Sequence, residues 1–568
     1  MTVSADPTPQ PDLSADESAP GAEHRLGRRP PDLRWRKGLA VGAMLVGSLV
    51  IMWPALAAPL NADQRYMYLN VPGRVQGDWL EIVRILWSEI PGRAEQGRMT
   101  PVGYFMQWLF YNGATELSVA TGTPLIVLHG IQKVLIFAVA VMGVAAFVKS
   151  LRGRATDGQL VAPTRATVWL VVGGVVVLGA AGVQTHLQFR NGWLSYPVLT
   201  YGAVIVGFGV VALTLTLTRR LAERTTVGRT ALAVAAMVFV GLFLNLSYEL
   251  YYVAFPAALL ALLLQPNPTA HGRRRWRVAK LVTGGTLTVT FLSTFGAIRV
   301  WLSDACVDQC YIGTEIQLGG ESARMAWYNL ASSLPLSGRF TAMEELTRLG
   351  RDGLPLPFSS PLTMACILAG AAMVAAWLLI QRHRGRASTG EIDHTLMLAE
   401  SGALLRGAAV ALALALGSVA VMSVSAQVPE IIRGIGYPYR HIVITWIGLC
   451  VVGLLTVIAI DLRFRSRVGF GLWAAAAAAA VVVSGVMLPI NLQATRAELL
   501  SPSIMVTDAI HREITLGDPQ PEADERRCAT IEALAENGVP PVSENFITNS
   551  AQRAYRYFYG VDYCSRID

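Results

Sequence analysis

Lysine is almost missing from this 568-residue chain: of 47 basic residues, four are lysine and 43 arginine. With the abundance of Ala and Gly, that bias points to a GC-rich bacterial genome. Charge of either sign is scarce. Only 15% of residues are charged and 53% are hydrophobic, whereas soluble domains carry roughly 25% charged residues. A soluble globular chain is therefore excluded. Apolar runs of about 18 residues or more recur along nearly the whole length, the signature of an all-α polytopic membrane protein. The net charge of +8 does not indicate nucleic acid, because the basic residues cluster in short turns between apolar runs, as orientation signals do. Among six cysteines, Cys306 and Cys310 could form a metal clip, but two thiols without nearby His or further Cys make a poor zinc site, and nothing in the sequence demands a metal or other cofactor.

What is present orders into three regions. Residues 1–33 are rich in Pro, Ser, Asp and Ala and read as a disordered cytoplasmic tail. Residues 34–490 form the membrane domain, with apolar runs near 38–60, 124–148, 166–185, 197–218, 230–247, 249–265, 281–301, 363–381, 407–426, 441–460 and 469–490. The first run could be a signal peptide ending at Ala55-Leu56-Ala57-Ala58, but it exceeds the usual apolar core of about 7–15 residues and reads as an uncleaved span. Residues 491–568 leave the membrane as a small extracytoplasmic helical unit, with helices expected at Cys528–Glu536 and Asn549–Tyr559. Basic turns at 149–154, 218–224, 273–277, 382–386 and 463–467 give one consistent topology, N-terminus inside and C-terminus outside. The long outer loops are 61–122 and 303–362. Cys306 with Cys310, and Cys528 with Cys564, then fall outside and are candidate disulfides, while Cys366 and Cys450 lie within spans.

Ionisable residues inside a membrane are costly and usually functional. Here they gather toward the outer ends of the spans: His129, Gln132 and Lys133, then Gln184 to Asn191 with Arg190, then Asn245, Tyr248 and Glu249, then Arg299, and finally Gln427, Glu430, Arg433, Arg440 and His441. The inner halves look almost free of such groups, which argues for a bowl open to one face and against a transporter. Tyr66, Tyr68, Trp79, Trp87, Trp193, Tyr196, Tyr251 and Tyr437 suit an interfacial aromatic belt. In the first outer loop, Asp78 and Glu81 open an amphipathic helix with Trp79, Ile82, Val83, Leu86 and Ile90 on one face, closed by Pro91-Gly92. It is too short and charged to span and suits the interface. Asp78 then has a capping role, whereas Asp63 has none.

The run Asp63-Gln64-Arg65-Tyr66, followed by Gly97-Arg98-Met99-Thr100-Pro101 before an apolar helix, resembles the GtrII-like branch of the membrane glycosyltransferases of the GT-C fold. The resemblance rests also on the number of spans, the interfacial helix and the small outer C-terminal unit, and covers about residues 35–500. The chain departs from the common acidic pair, since Ala62 precedes Asp63; Glu249 or Asp78 could assist. The resemblance implies transfer of a sugar from a polyprenyl-phosphate donor to a glycan or lipid acceptor at the outer face of the bacterial cytoplasmic membrane. Asp63 would take the acceptor proton. Arg65, Arg98, Lys133, Arg190, Glu249, Arg433, Arg440 and His441 would contact the donor phosphate or sugar. A polysaccharide polymerase or O-antigen-ligase-like enzyme would rely instead on Arg433, Arg440 and His441. A lipid or glycan flippase and a non-catalytic membrane scaffold are the readings from other classes.

Overall fold

A computed structural model describes residues 62–156, 158–183, 196–267, 273–306, 315–335, 394–432, 434–437, 440–464, 502–537 and 541–566, with isolated positions elsewhere. The tail 1–33, most of each apolar run at 38–60, 363–381 and 469–490, the basic turns at 382–386 and 465–467, and Trp193 and Cys366 lie outside the described residues.

The segment 61–122 holds three helices: α1 (Ala62–Val75), α2 (Trp79–Glu95) and α3 (Pro101–Thr121). The membrane set follows as α4 (Leu125–Ser150), a hairpin of β1 (Gly153–Arg154) and β2 (Leu160–Val161), α5 (Arg165–Ala181), α6 (Pro197–Glu223) and α7 (Val227–Ser247). A 3₁₀ turn (Glu249–Val253) leads into α8 (Ala254–Leu264), then α9 (Arg273–Ala305), α10 (Gly320–Ser332), α11 (His394–Ser423), α12 (Val428–Ile431) and α13 (Ile442–Phe464). The C-terminal unit is α14 (Pro502–Leu516), α15 (Pro521–Glu536) and α16 (Pro541–Tyr559).

Among the described residues six helices, α4, α6, α7, α9, α11 and α13, are long and apolar enough to cross a membrane; α5 and the Glu249–Leu264 segment are shorter apolar helices. Large apolar side chains such as Leu135, Phe239 and Leu281 are left exposed on α4, α7 and α9. In water such patches are a liability, while hydrocarbon tolerates them. The fold is that of a helical membrane protein.

Side-chain contacts sort the helix ends onto two faces. Lys280 Nζ donates to the Gln265 carbonyl at 2.9 Å, Thr218 and Thr283 hydroxyls meet at 2.7 Å, and Arg406 Nη2 donates to the Arg152 carbonyl at 3.0 Å. These basic helix ends share one face. The opposite ends meet α1, α3 and the C-terminal unit. α9 is longer than expected: the basic run 273–277 is its first turn, not a turn between helices.

Two further differences concern local signals. Pro91-Gly92 does not close α2, because Pro91 sits within a helix that runs to Glu95. The buried stripe of α2 is Ile82, Ile85 and Leu86, and Trp79, Leu80, Val83 and Trp87 form an exposed apolar stripe beside it. In the C-terminal unit, helix begins much earlier than Cys528, and Pro541 opens α16, where its fixed φ and missing N–H suit a first turn.

The core of the C-terminal unit is shared with α1. Leu69 of α1 is buried with Ile510, Ile514, Ile531, Leu534, Ile547, Tyr555 and Tyr563. Gly73 allows the close approach, since a Cβ there would lie 2.8 Å from the Ala554 nitrogen. Arg553 Nη2 donates to Asn70 Oδ1 at 3.1 Å, and Tyr557 donates to Glu116 at 3.0 Å. Cys528 and Cys564 are bonded within this unit, and Cys306 and Cys310 at the end of α9. Leu69→Ala should weaken the docking by about 2–5 kcal/mol, as for other buried leucines. Limited proteolysis in detergent would then cut within 502–566 faster than in the parent; an unchanged rate would rule out the shared core.

Candidate functional site

The polar residues of the loop-bearing face fall into separate groups. One group lies between α1 and α4. Tyr68 is fully buried, its hydroxyl 2.6 Å from His129 Nδ1 and donating to Gln132 Oε1 at 3.3 Å. Gln64 Nε2 lies 3.4 Å from His129 Nε2, and Gln132 Nε2 donates to the Phe110 carbonyl at 3.3 Å. Lys133, on the same helix beside Gln132, is also buried. These bonds hold α1 on the end of α4. Asp63 is the second residue of α1; its side chain lies outside the described residues. Tyr68, Tyr196 and Tyr251 are all buried and so do not join an interfacial belt; the Tyr251 hydroxyl donates to the Val198 carbonyl at 3.0 Å.

Arg65 turns the other way. Its Nη1 donates to Thr507 Oγ1 at 2.7 Å, joining α1 to α14. Beside it, His511 is buried, and loss of hydration together with the nearby Arg65 cation pulls its pKa down to about 4, although Asp508 and a hydrogen bond to the Arg65 backbone oppose this. His441 is buried too, with Nε2 3.2 Å from the Asn329 carbonyl. It packs between α13 and α10 and does not line the cavity described next.

That cavity, of about 140 Å³, is lined by residues from six parts of the chain. Arg98 comes from the α2–α3 turn, Tyr248, Glu249 and Tyr252 from the 3₁₀ turn and the residue before it, and Phe295 and Arg299 from α9. Glu315 and Ile316, then Val421 to Gln427, and finally Arg440 complete it. Its guanidiniums lie over aromatic rings, which orient planar cations. Arg440 sits 4.9 Å from the Tyr196 ring and donates to the Tyr248 hydroxyl at 3.1 Å. Arg299 lies 5.3 Å over Phe295, and Arg98 5.8 Å from Tyr104. Val421, Met422, Val424 and Ile316 add an apolar side.

Of the residues singled out from sequence, the cavity brings together Arg98, Glu249 and Arg440. Lys133 and Arg65 are not among its lining, and Arg190 and Arg433 lie outside the described residues. Arg299 and Gln427 had stood out only as polar residues near helix ends. Glu315 and Tyr252 carried no signal, being an isolated carboxylate in a long loop and one aromatic among many. The cavity and the α1–α4 group are linked by α3. Gly103 packs so closely on the Ser247 carbonyl that a Cβ there would lie 2.1 Å away. Phe110 is about two turns further along, roughly 10 Å at 1.5 Å per residue.

Asp78 caps α2: its Oδ1 accepts from Leu80 N at 2.9 Å and its Oδ2 pairs with Arg84. Glu81 turns to Arg84 instead of completing a capping box. The basic-turn face is less apolar than expected. Glu400 is buried there, accepting from Thr164 N at 3.0 Å and from the Thr167 hydroxyl. No group of three or more potential metal ligands occurs among the described residues. No protein-family model, curated protein or solved structure matches this chain.

The lowered His511 pKa has a definite sign. As pH falls below 6.5 the unfolded chain takes up a proton that the folded chain refuses until about 4, so stability is lost across that window. Melting of the C-terminal unit at pH 4.5 should fall relative to pH 7 by up to about 3 kcal/mol. His511→Gln should flatten this part of the profile, and an identical pH dependence in that variant would refute the assignment.

Proposed function

We propose that the chain is a membrane-embedded transferase that moves a sugar from a polyprenyl-phosphate carrier to a cell-envelope glycan or lipid acceptor. The observation that carries this reading is the cavity in which Arg98, Arg299 and Arg440 stand beside an apolar side. Guanidiniums oriented on aromatic rings suit a phosphate oxyanion, and the apolar residues suit the first units of an isoprenoid tail. In such a reaction, charge develops on the phosphate as the sugar leaves, and fixed cations lower that barrier. A carboxylate must take the proton of the attacking hydroxyl. The resemblance assigns that role to Asp63, in the first turn of α1.

The active site then faces outward, at the loop-bearing side, with the basic helix ends in the cytoplasm by the positive-inside rule. Donor and acceptor are the partners in this reading, along with the bilayer itself. One observation favours the ligase-like reading in its place: Arg440 lines the cavity, and such enzymes depend on a late arginine. It differs in needing no Asp63.

Two variants separate these readings. Asp63→Asn should lower sugar transfer in membranes by about 10²–10⁴-fold without changing protein level, the range for removing a general base. Arg440→Ala should mainly weaken donor binding. Full activity in Asp63→Asn together with a dead Arg440→Ala would select the ligase-like reading, and full activity in both would defeat the transferase reading altogether.

A further inference from the structure

The arginine-lined cavity is also lined by two carboxylates, Glu249 and Glu315. Neither makes an ion pair or a side-chain hydrogen bond among the described residues, although three guanidiniums line the same space. Both are fixed by their backbones. Glu249 opens the 3₁₀ turn directly after Tyr248, whose hydroxyl receives Arg440 Nη1. Glu315 stands at a short backbone bridge: Gln317 N donates to the Val424 carbonyl at 2.7 Å, and Ala426 N donates to the Glu315 carbonyl at 3.1 Å. Carboxylates held at a cavity rim accept hydrogen bonds and repel anions.

Resting on the lipid-phosphate reading above, we propose that Glu249 and Glu315 select a neutral sugar on the donor and reject an acidic one. With the donor phosphate on the arginines, the sugar ring lies among the remaining polar groups. Its hydroxyls donate to the two carboxylates in charge-assisted hydrogen bonds. A uronic acid would instead bring a third carboxylate close to them, and like charges a few ångströms apart repel. Selectivity then comes from the repulsive element as much as from the attractive one.

The test uses the full-length protein in detergent and three probes: farnesyl phosphate, glucosyl farnesyl phosphate and glucuronosyl farnesyl phosphate, with binding followed by calorimetry. The glucosyl probe should bind about tenfold or more tighter than the glucuronosyl probe, the scale of one close like-charge contact. In the Glu249→Gln/Glu315→Gln variant that ratio should collapse while farnesyl phosphate still binds, which also shows that the variant is folded. Equal binding of both sugar probes to the parent protein would overturn the proposal, as would a ratio that survives in the double variant. Farnesyl phosphate tests the underlying reading separately. If it fails to bind, or binds Arg98→Ala, Arg299→Ala and Arg440→Ala as well as the parent, the lipid-phosphate reading falls and the selectivity proposal with it.

Discussion

The contact on which the loop-bearing face depends is the double docking of α1. Successive residues of this helix serve two different partners. Tyr68 points into the membrane set and meets His129, while Leu69 points into the C-terminal unit and completes its core. Arg65 and Asn70 add polar ties to the same unit. The helix is thus clamped between the end of α4 and the α14–α16 bundle. Because helix positions are rigidly related, fixing Tyr68 and Leu69 also fixes where the backbone of Asp63 lies.

The C-terminal unit is accordingly more than an appendage. A small three-helix unit buries too little surface to be stable by itself, and such units are commonly stapled or docked. This one is both: the Cys528–Cys564 bond closes it, and Leu69 of α1 joins its core. Arg527 is almost completely buried within it, giving its Nε to the Tyr563 carbonyl at 2.7 Å and its guanidinium face to Tyr555 at 4.8 Å. A charge buried with satisfied hydrogen bonds is a specific arrangement that few alternative packings could provide. The unit therefore holds α1 in one orientation.

The cavity shows a different economy. Its cations are carried by helix ends and turns of distant sequence position, and aromatic rings hold each of them in place. Arg98 depends on α3, whose start lies against the end of α7 through Gly103. A shift of α3 would therefore disturb the cavity and the Tyr68–His129 group together, since Thr115 of the same helix donates to the Tyr68 carbonyl at 3.0 Å.

Much of the architecture was legible in the sequence because it follows from local rules. Apolar length marks helices that can span, Asp78 announces a cap two residues before Leu80, and cysteines in the polar loops find one another. Helix ends were less legible: Pro91-Gly92 lies inside α2 because tertiary packing of Ile82, Ile85 and Leu86 outweighs a local breaker. The division among candidate residues was not legible at all. Lys133, Arg65, His441 and Arg440 look alike in sequence, each a basic residue near a helix end. Their directions depend on which neighbour each helix packs against, and Glu315 is brought to the cavity beside the backbone bridge between Ile316 and Ser425. Composition and periodicity, which act along the chain, determined the class of protein. The grouping of charges around one cavity was decided by tertiary structure, because it depends on contacts between residues far apart in sequence.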